Sequence, residues 1–292
     1  MTAQAGNGAG DDFRGDVAAF DRAWRARAET GVLHWAPEPP RNQVQLAFRS
    51  HWRLFQELMG PEFGGKRVLE VGAGRGSMSA HFAEAGFECT LLDSSPAVMH
   101  AAAGLFARYG LAGRFLVGDT TAIPFPDGSF DVVVSIGLLE HFRDPAPALQ
   151  DQVRILAPGG LFLGYVVPEI PDNVQKEYEW INRILEVVAP VDSAGAAGGK
   201  EALYRSDELS ESYLKILRNL PLDGLQASGV YPLPMISPSI RFPFTLLPPS
   251  AEEVLVNHLL RMLEDRAREY DRNPWLCDET HGQAFLVWGW RK

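Results

Sequence analysis

Val68-Leu-Glu-Val-Gly-Ala-Gly-Arg-Gly-Ser77 is the stretch of this 292-residue chain that decides its fold. An apolar strand pattern runs into glycines at positions 72, 74 and 76, and a helical pattern follows. Glycine lets the backbone turn sharply and lets a ligand approach the main chain with no Cβ in the way. The stretch therefore predicts a nucleotide-binding turn, although many different nucleotide binders share that feature.

Short β-rich runs alternate with helical patterns on both sides of this turn. The predicted strands are Arg67–Val71, Glu88–Leu92, Phe115–Val117, Asp131–Ser135 and Leu161–Val167, and the predicted helices are Ser77–Glu84, Pro96–Ala107 and Pro145–Ile155. Such alternation is typical of right-handed βαβ units and of a parallel sheet with helices on both faces. We therefore predict an α/β fold with a Rossmann-like, doubly wound sheet.

The rest of the chain is predicted to surround this sheet. From the N-terminus, the predicted parts are a disordered tail (1–12), N-terminal helices including one at Phe13–Arg27 (13–60), the core (61–168), a helical insertion with a flexible loop at Asp192–Lys200 (169–224) and the end of the core sheet (225–292). The last part carries a Pro-rich insertion at 231–249, where proline forbids a helix. A helix with Ser250 as its N-cap and a closing strand at Ala284–Trp290 are predicted to follow.

The composition excludes several classes of protein. Hydrophobic residues make up 46% and charged residues 22% of the chain, which is ordinary for a globular protein. The net charge of −10 disfavours a nucleic-acid partner, because like charges repel at contact. Cys89 and Cys277 are too few for a disulfide framework, and no apolar run approaches the ~20 residues that span a bilayer. We therefore expect a cytoplasmic protein, without a signal peptide or membrane contact, that acts on a small molecule.

The glycine spacing and one carboxylate narrow the class of nucleotide ligand. The dinucleotide fingerprint requires a glycine at the sixth position from Gly72, where this chain has Ser77. Glu70 places a negative charge at the strand end, which disfavours a pyrophosphate and suits a ligand with a positively charged amino group and sulfonium. The turn therefore fits S-adenosylmethionine better than a dinucleotide, and a nicotinamide-dependent oxidoreductase is the less favoured alternative.

Two aspartates follow the next two strands at positions suited to a nucleoside. Asp93 ends the second predicted strand, where a carboxylate can accept hydrogen bonds from both ribose hydroxyls. Its alternative role is to cap the helix that begins near Pro96. Asp119 follows the third strand, where a carboxylate can accept the adenine amino group, and its alternative role is to form a turn.

Six ordered motifs between residues 66 and 167 resemble the class I S-adenosylmethionine-dependent methyltransferases of small-molecule type, a group that includes ubiquinone, menaquinone and natural-product enzymes. The motifs are Glu70–Gly76, Leu92-Asp93, Gly118-Asp119, Pro124–Asp131, Leu139–His141 and Leu156–Gly160. The resemblance implies S-adenosylmethionine as the cofactor and a mostly parallel, seven-stranded sheet whose last strand is antiparallel. It also implies methyl transfer to a small organic acceptor, in specialised metabolism, as the activity.

The resemblance assigns individual residues to the cofactor site as well. The implied cofactor-binding residues are Glu70, Gly72, Ala73 and Gly74 at the methionine part, Asp93 and Ser94 at the ribose, Asp119 and Thr120 at the adenine, and Ile136 and Gly137 where the methyl group points. Trp35, Arg49 and Trp52 are candidates to close over the cofactor. Core packing is the better explanation for the two tryptophans.

His141 is the candidate catalytic residue. It follows the fourth strand, where a base would take the proton of a hydroxyl acceptor, an effect worth about 10²–10⁴-fold in rate. The alternative is a structural histidine that packs the following helix. Some relatives hold a divalent metal with two acids and this histidine, but Gly137 occupies the place of one acid here, so we expect no metal.

The insertions are predicted to form a lid over the carboxyl edge of the sheet. The Pro-rich segment offers side chains for an organic, partly aromatic acceptor: Tyr231, Met235, Ile236, Ile240, Phe242 and Phe244. A subunit interface in a homo-oligomer and simple cladding of the core are the alternatives. By location alone, further candidates to border the acceptor are His34, His51, Glu177, Tyr178 and Tyr204. A non-catalytic S-adenosylmethionine-binding protein is the alternative function, because binding residues persist when transfer is lost.

Overall fold

The computed structural model describes residues 34–37, 39–63, 66–188, 204–239 and 244–292. The tail predicted at 1–12, the helix predicted at Phe13–Arg27 and the loop predicted at Asp192–Lys200 lie outside these residues. So do Ile240 and Phe242 of the predicted lid.

The described residues form one mixed sheet. Its strands are β1 (Arg67–Val71), β2 (Glu88–Asp93), β3 (Arg114–Val117), β4 (Phe130–Ile136), β5 (Leu156–Val166), β6 (Leu222–Val230), β7 (Leu276–Cys277) and β8 (Ala284–Arg291). They lie in the order β3-β2-β1-β4-β5-β8-β6-β7. Strands β1 to β5 are mutually parallel, and β8 is antiparallel to both β5 and β6. The predicted α/β class and the antiparallel last strand are therefore confirmed.

The predicted number of strands is wrong by one. Within the described residues the sheet has eight strands instead of seven, because Leu276–Cys277 pairs with Gly229–Val230 at the edge. Two residues show no alternation of apolar and polar side chains, so the sequence pattern gives no signal for β7. Strand β6 also begins at Leu222, inside the range 169–224 that was assigned to the helical insertion.

Seven helices cover the sheet in the described residues. They are α1 (Gln43–Met59), α2 (Ser77–Glu84), α3 (Pro96–Tyr109), α4 (Ala146–Arg154), α5 (Gln175–Val188), α6 (Ser210–Leu217) and α7 (Pro249–Glu269). Short 3₁₀ turns lie at Pro61–Phe63 and Leu139–His141. The predicted N-cap at Ser250 is wrong, because α7 begins at Pro249 with Pro248 at the cap position. Proline is well suited to the first helical position, since it has no N–H to satisfy and its φ is already helical.

Apolar side chains fill both faces of the sheet. Alternate strand residues such as Val68 and Val132 pack with α1, α2 and α3 on one face. Their neighbours Leu69 and Val133 pack with α4 and α6 on the other face. The carboxyl ends of the five parallel strands therefore share one open edge, which is where such sheets bind their ligands. None of the helices in the described part of the chain is both long and apolar enough to cross a membrane.

The turn between β7 and β8, residues 278–283, forms hydrogen bonds with three other segments near the start of β8. The Val174 amide donates to the His281 carbonyl oxygen at 2.8 Å, next to the start of α5. At the start of α6, the Ser210 hydroxyl donates to Glu279 Oε2 at 2.9 Å. The Gln283 amide donates to the Tyr231 carbonyl oxygen at 3.1 Å, where the Pro-rich segment leaves β6. One turn therefore fixes the starts of three segments that were predicted to cover the site.

Candidate active site

The glycine turn follows β1 and bends toward β2. The amides of Gly72 and Ala73 both donate to the Leu92 carbonyl oxygen, at 2.8 and 3.0 Å. Gly72 has a φ of +69°, and a Cβ at this position would lie 2.9 Å from Leu138 Cδ1. Both observations require glycine, because other residues rarely adopt this φ and the added atom would clash. Glycine therefore lets the Leu138 side chain approach the main chain at the turn where the sequence predicts a ligand.

Glu70 lies beneath this turn and has a protein partner of its own. Its side chain is 3% exposed, and its Oε2 accepts hydrogen bonds from the Ser79 amide at 2.9 Å and the Ser79 hydroxyl at 2.5 Å. Burial raises the pKa of Glu70 to about 7, although the two bonds from Ser79 oppose that shift. Glu70 thus ties the end of β1 to the first turn of α2. Its assignment as a cofactor-binding residue stays a prediction.

Asp93 connects the glycine turn with the end of β2. Its Oδ2 accepts a hydrogen bond from the Gly74 amide at 3.0 Å, and its Oδ1 accepts one from the Ser95 amide at 2.9 Å. The N-cap of α3 is Ser95, whose hydroxyl accepts from the Val98 amide at 3.3 Å. The capping alternative therefore belongs to Ser95. Asp93 and its neighbour Ser94 are half-buried beside the turn, where a ribose was predicted.

Asp119 and Thr120 follow β3 in a tight turn. Asp119 is exposed, and its Oδ1 accepts from the Thr121 amide at 2.7 Å and from the Thr121 hydroxyl at 2.6 Å. This is the turn-forming arrangement that was the alternative role for Asp119. Thr120 is buried, and its hydroxyl has no hydrogen-bond partner among the described residues. The Gly118 amide donates to the Asp93 carbonyl oxygen at 3.0 Å, which brings this turn next to Asp93.

Ile136 and Gly137 end β4 at the centre of the edge. Ile136 is half-buried and pairs with Tyr165 of β5, and the Gly137 amide donates to the Tyr165 carbonyl oxygen at 2.9 Å. Gly137 has a φ of +64°, and a Cβ there would lie 3.5 Å from Glu140 Oε1. The carboxyl group of Glu140 therefore lies directly beside the position predicted to face the methyl group.

His141 and Glu140 form a buried pair behind Gly137. The Nδ1 of His141 lies 2.7 Å from the Tyr204 carbonyl oxygen. A carbonyl oxygen can only accept, so Nδ1 carries the proton and Nε2 is the basic nitrogen. Burial lowers the pKa of His141 to about 4, although its bond to Tyr204 opposes this shift and the charge of Arg205 adds to it. The imidazole is therefore neutral near pH 7.

Glu140 is the other member of this pair. It is 1% exposed, its Oε1 lies 3.9 Å from His141 Nε2, and its Oε2 has no hydrogen-bond partner among the described residues. Burial raises the pKa of Glu140 to about 7, against hydrogen bonds from backbone amides and the charge of Arg205. A buried carboxyl group with a free oxygen beside a basic nitrogen can hold or pass on a proton.

An aromatic cluster lies on the far side of Ile136, formed by His51, Tyr165, Tyr231 and Trp275. The indole Nε1 of Trp275 donates to His51 Nδ1 at 2.9 Å, and burial lowers the pKa of His51 to about 3. The ring centroids of His51 and Tyr165 are 4.4 Å apart, and Tyr231 stacks on Trp275 at 4.9 Å. The sequence indicated His51 and Tyr231 by location alone. It gave no signal for Tyr165 or Trp275, because their partners are far away along the chain.

The remaining candidates have other surroundings. Trp35 is 2% exposed and packs edge-on against Tyr109, and Trp52 packs against Phe82, so both tryptophans lie in the core among α1, α2 and α3. The Arg49 guanidinium donates to the Ala36 carbonyl oxygen at 3.2 Å. His34 stacks on the ring of Phe48, which lies on α1 next to Arg49. On α5, Glu177 is exposed and Tyr178 is half-buried.

The residues at this edge fit S-adenosylmethionine on three observations. The glycine turn leaves a cradle that a Cβ at Gly72 would disturb. The half-buried carboxylate of Asp93 faces that turn, and the buried Thr120 hydroxyl beside it lacks a protein partner among the described residues. No group of three or more His, Cys, Asp or Glu side chains in the described part of the chain could hold a metal ion, and the absence of a metal stays a prediction.

Comparisons with known proteins match the same part of the chain. Residues 69–164 match the model of a methyltransferase domain family. An uncharacterized methyltransferase of Mycobacterium sp. (strain JLS) is 42% identical over 105 residues, which are 36% of this chain and 40% of the relative. Ajmaline N-methyltransferase of Rauvolfia serpentina is 32% identical over 133 residues, 44% of this chain and 46% of that enzyme. The chain thus spans less than half the length of these curated relatives.

A solved structure matches the fold over nearly the whole chain. The S-adenosylmethionine-dependent methyltransferase of Thermotoga maritima, described as a possible histamine N-methyltransferase, superposes with a TM-score of 0.53 and 15% identity. The match covers 94% of this chain and 99% of that one. At this identity the likeness supports the fold alone. Residues 69–164 of this chain are therefore similar in sequence to methyltransferase domains, and S-adenosylmethionine is the cofactor that this similarity implies for the matched domain.

Proposed function

We propose that this chain transfers a methyl group from S-adenosylmethionine to a small organic acceptor. The arrangement around Gly137 is the observation that carries the proposal. In the sheet, β1 and β2, which lead to the glycine turn and to Asp93, lie on one side of β4, and β5, which carries Tyr165 of the aromatic cluster, lies on the other. Glu140 and His141 follow Gly137 in the turn at Leu139–His141. A cofactor site and an acceptor site would then meet at the end of β4.

The cofactor side is assigned to residues that present backbone or carboxylate groups. When bound, S-adenosylmethionine supplies an electrophilic methyl group on a sulfonium sulfur. The backbone from Gly72 to Gly74 would hold its methionine part and Asp93 its ribose, with Asp119 and Thr120 at the adenine. Leu138, packed against Gly72, would keep water away from the reacting centre.

The acceptor side combines aromatic surface with few polar atoms. The rings of His51, Tyr165 and Tyr231 favour an acceptor that is partly aromatic. Holding the two reactants in line can supply ~7–11 kcal/mol of the barrier. Where the acceptor is a hydroxyl group, His141 Nε2 takes its proton, because Nδ1 is engaged by the Tyr204 carbonyl oxygen. We further propose that the reaction belongs to specialised metabolism in the cytoplasm, and an alkaloid N-methyltransferase among the relatives supports the first of these points.

Release of S-adenosylhomocysteine tests the proposal. The protein is incubated with S-adenosylmethionine and a panel of aromatic amines, phenols and carbon acids, and the product is measured by mass spectrometry. We expect release above the rate without acceptor for at least one class, together with an acceptor heavier by one methyl group. Binding of S-adenosylmethionine by calorimetry without transfer to any acceptor would instead support the non-catalytic alternative. Binding of a nicotinamide cofactor alone would support the oxidoreductase.

A further inference from the structure

The Pro-rich segment contains three residues, Met235–Ser237, whose backbone is hydrogen-bonded like that of a strand, although they pair with none of the strands in the described residues. The amide and carbonyl groups of Met235 both bind the side-chain amide of Gln175, at 2.7 and 3.0 Å. Those of Ile236 both bind the side-chain amide of Gln43, at 2.9 and 2.8 Å. In an extended chain, the N–H and C=O groups of one residue point to one edge, and those of the next residue point to the opposite edge. Two glutamines therefore occupy the two edges where strands would pair.

A third amide side chain completes the contact with α5. Asn182 donates to the Met235 carbonyl oxygen at 3.0 Å and accepts from the Ser237 amide at 3.1 Å. Gln175 and Asn182 are seven residues apart, so they lie on one face of α5 two turns from each other. Asn182 is also the one buried side chain of α5, which is described over its full length. Hydrogen bonds to Met235–Ser237 therefore hold this face of α5 together with the half-buried side chains of Tyr178, Ile181 and Leu185.

On the opposite edge, Gln43 is itself held by a buried carboxylate. Glu252 of α7 is 2% exposed and accepts from the Gln43 backbone amide and from its side-chain amide, each at 2.9 Å. It accepts a third bond from the Leu247 amide at 3.0 Å. The segment Met235–Ser237 thus joins α1, α5 and α7, which are far apart in the sequence.

The same segment lies beside the aromatic cluster. It follows Tyr231, whose ring packs on His51 and Trp275, and the Gln283 side chain binds the intervening Leu233 carbonyl oxygen. Met235 and Ile236 are 6% and 7% exposed, and in an extended segment successive side chains point to opposite sides, so the protein covers both sides of this segment. Fixing the backbone of these two residues therefore fixes the direction in which each side chain points.

We propose that Gln43, Gln175 and Asn182 are specificity-determining residues, which hold the segment Met235–Ser237 as a rigid wall of the acceptor site. This inference rests on the proposed function. In this proposal, the segment that the sequence predicts as part of a lid is a wall that is already built before any ligand binds. The wall selects acceptors by size, because a rigid apolar surface does not yield to a larger group.

Two matched double variants test the wall. Gln175→Met with Asn182→Leu removes the amides on α5 with little change of shape, and Gln56→Met with Asn257→Leu makes the same changes at exposed positions of α1 and α7. Hydrogen exchange is measured by mass spectrometry at the amides of residues 235–237. We expect exchange faster by about tenfold or more in the first variant and unchanged in the second, since local opening governs exchange. Equal exchange in both variants would overturn the proposed pinning.

The acceptor preference is measured with the same proteins. For a larger and a smaller acceptor from the panel, the ratio of kcat/KM should shift by about tenfold toward the larger one in the first variant, with S-adenosylhomocysteine affinity changed less than about twofold. If the first variant still transfers the methyl group and its ratio of kcat/KM is unchanged, the proposed wall is overturned but the proposed function is not. Absence of transfer by the wild-type protein overturns the proposed function first. Met235→Ala, which keeps the backbone contacts, should show the same shift if the double variant does not fold.

Discussion

The two halves of the open edge are held together by different kinds of contact. In the cofactor half, from β3 to β4, the functional groups bind nearby backbone: Asp93 contacts residues 19 and 2 positions away, and Glu70 contacts one 9 positions away. In the acceptor half, from the turn at Leu139–His141 after β4 to β7, side chains bind partners 53 to 224 positions away, as Asn182 does with Met235 and His51 with Trp275. The first half can form within one βαβ unit, whereas the second requires most of the chain to be folded.

The largest expected effect lies in the acceptor half, at His141. His141→Asn keeps a side-chain N–H that can donate to the Tyr204 carbonyl oxygen but removes the basic nitrogen. For a hydroxyl acceptor, we expect kcat to fall by about 10²–10⁴-fold, with S-adenosylmethionine affinity unchanged, because a base contributes that much to proton removal. Initial rates of S-adenosylhomocysteine release and calorimetry measure the two quantities. A structural histidine would give the reverse pattern, in which the unfolding temperature falls and kcat is kept.

A smaller effect is expected in the cofactor half, at Asp93. Asp93→Ala should weaken S-adenosylmethionine binding by about 1.5–3 kcal/mol, the scale of a hydrogen bond to a charged group, or about 10- to 150-fold in Kd. Calorimetry measures the affinity, and Glu253→Ala at an exposed position of α7 controls for the loss of one negative charge. Since Asp93 also binds Gly74 and Ser95, thermal unfolding is followed in parallel. A loss of stability with full affinity would assign Asp93 to the turn alone.

The sequence predicted the strands and helices of the cofactor half well because its signals are local. The predicted strand Arg67–Val71 and helix Ser77–Glu84 have the bounds that the structure shows. An apolar strand, glycines at fixed spacing and an acid at the next strand end all lie within about thirty residues, the length of one βαβ unit. Glycine at position 72 permits the positive φ that the structure shows there, which few other residues adopt.

The acceptor half was predicted in outline only. The helices and the Pro-rich segment were expected, but their contacts were not. Glu252 is an acidic residue in the first turn of α7, and its partner Gln43 lies 209 residues away along the chain. Nothing in the composition around either residue marks that pairing. The amides of Gln175 and Asn182 are likewise typical of an exposed helix face until the chain that they bind is in place.

Substituting alanine for a glycine of the cofactor turn and for a glycine within α3 compares a strained backbone position with an unstrained one. Gly76 has a φ of +70°, and a Cβ there would lie 2.6 Å from Leu91 Cδ2, whereas a Cβ at Gly104, within α3, meets nothing within 4 Å. We expect Gly76→Ala to lower the free energy of unfolding by about 1–3 kcal/mol. Gly104→Ala should raise it by about 0.5–1 kcal/mol, since alanine favours a helix interior. The free energy of unfolding of each variant is measured in urea. Equal effects of the two substitutions would contradict the argument that position determines the effect.

The smallest expected effect concerns the charge of Glu70. Its pKa is raised on folding from 4.5 to about 7 by burial, so between these values the folded state holds a proton that the unfolded state has released. The free energy of unfolding therefore falls as pH rises through this window, by up to about 1 kcal/mol per pH unit. Glu70→Gln lacks this slope, so the wild-type advantage over the variant should shrink from pH 5 to pH 7 in urea unfolding.

Other buried titratable groups do not alter the pH dependence of the difference in unfolding free energy between the wild type and Glu70→Gln. Glu140 has the same raised pKa, and His51, His81 and His141 have lowered pKa values that favour the folded state as pH rises, but all four are present in both proteins. Glu253→Gln controls for a change at an exposed carboxylate. A difference that stays constant or grows with pH would mean that Glu70 is ionised in the folded protein. That result would strengthen its assignment to the cofactor half as a negative charge facing the sulfonium, and would leave the bond from Ser79 as the group that stabilises the charge.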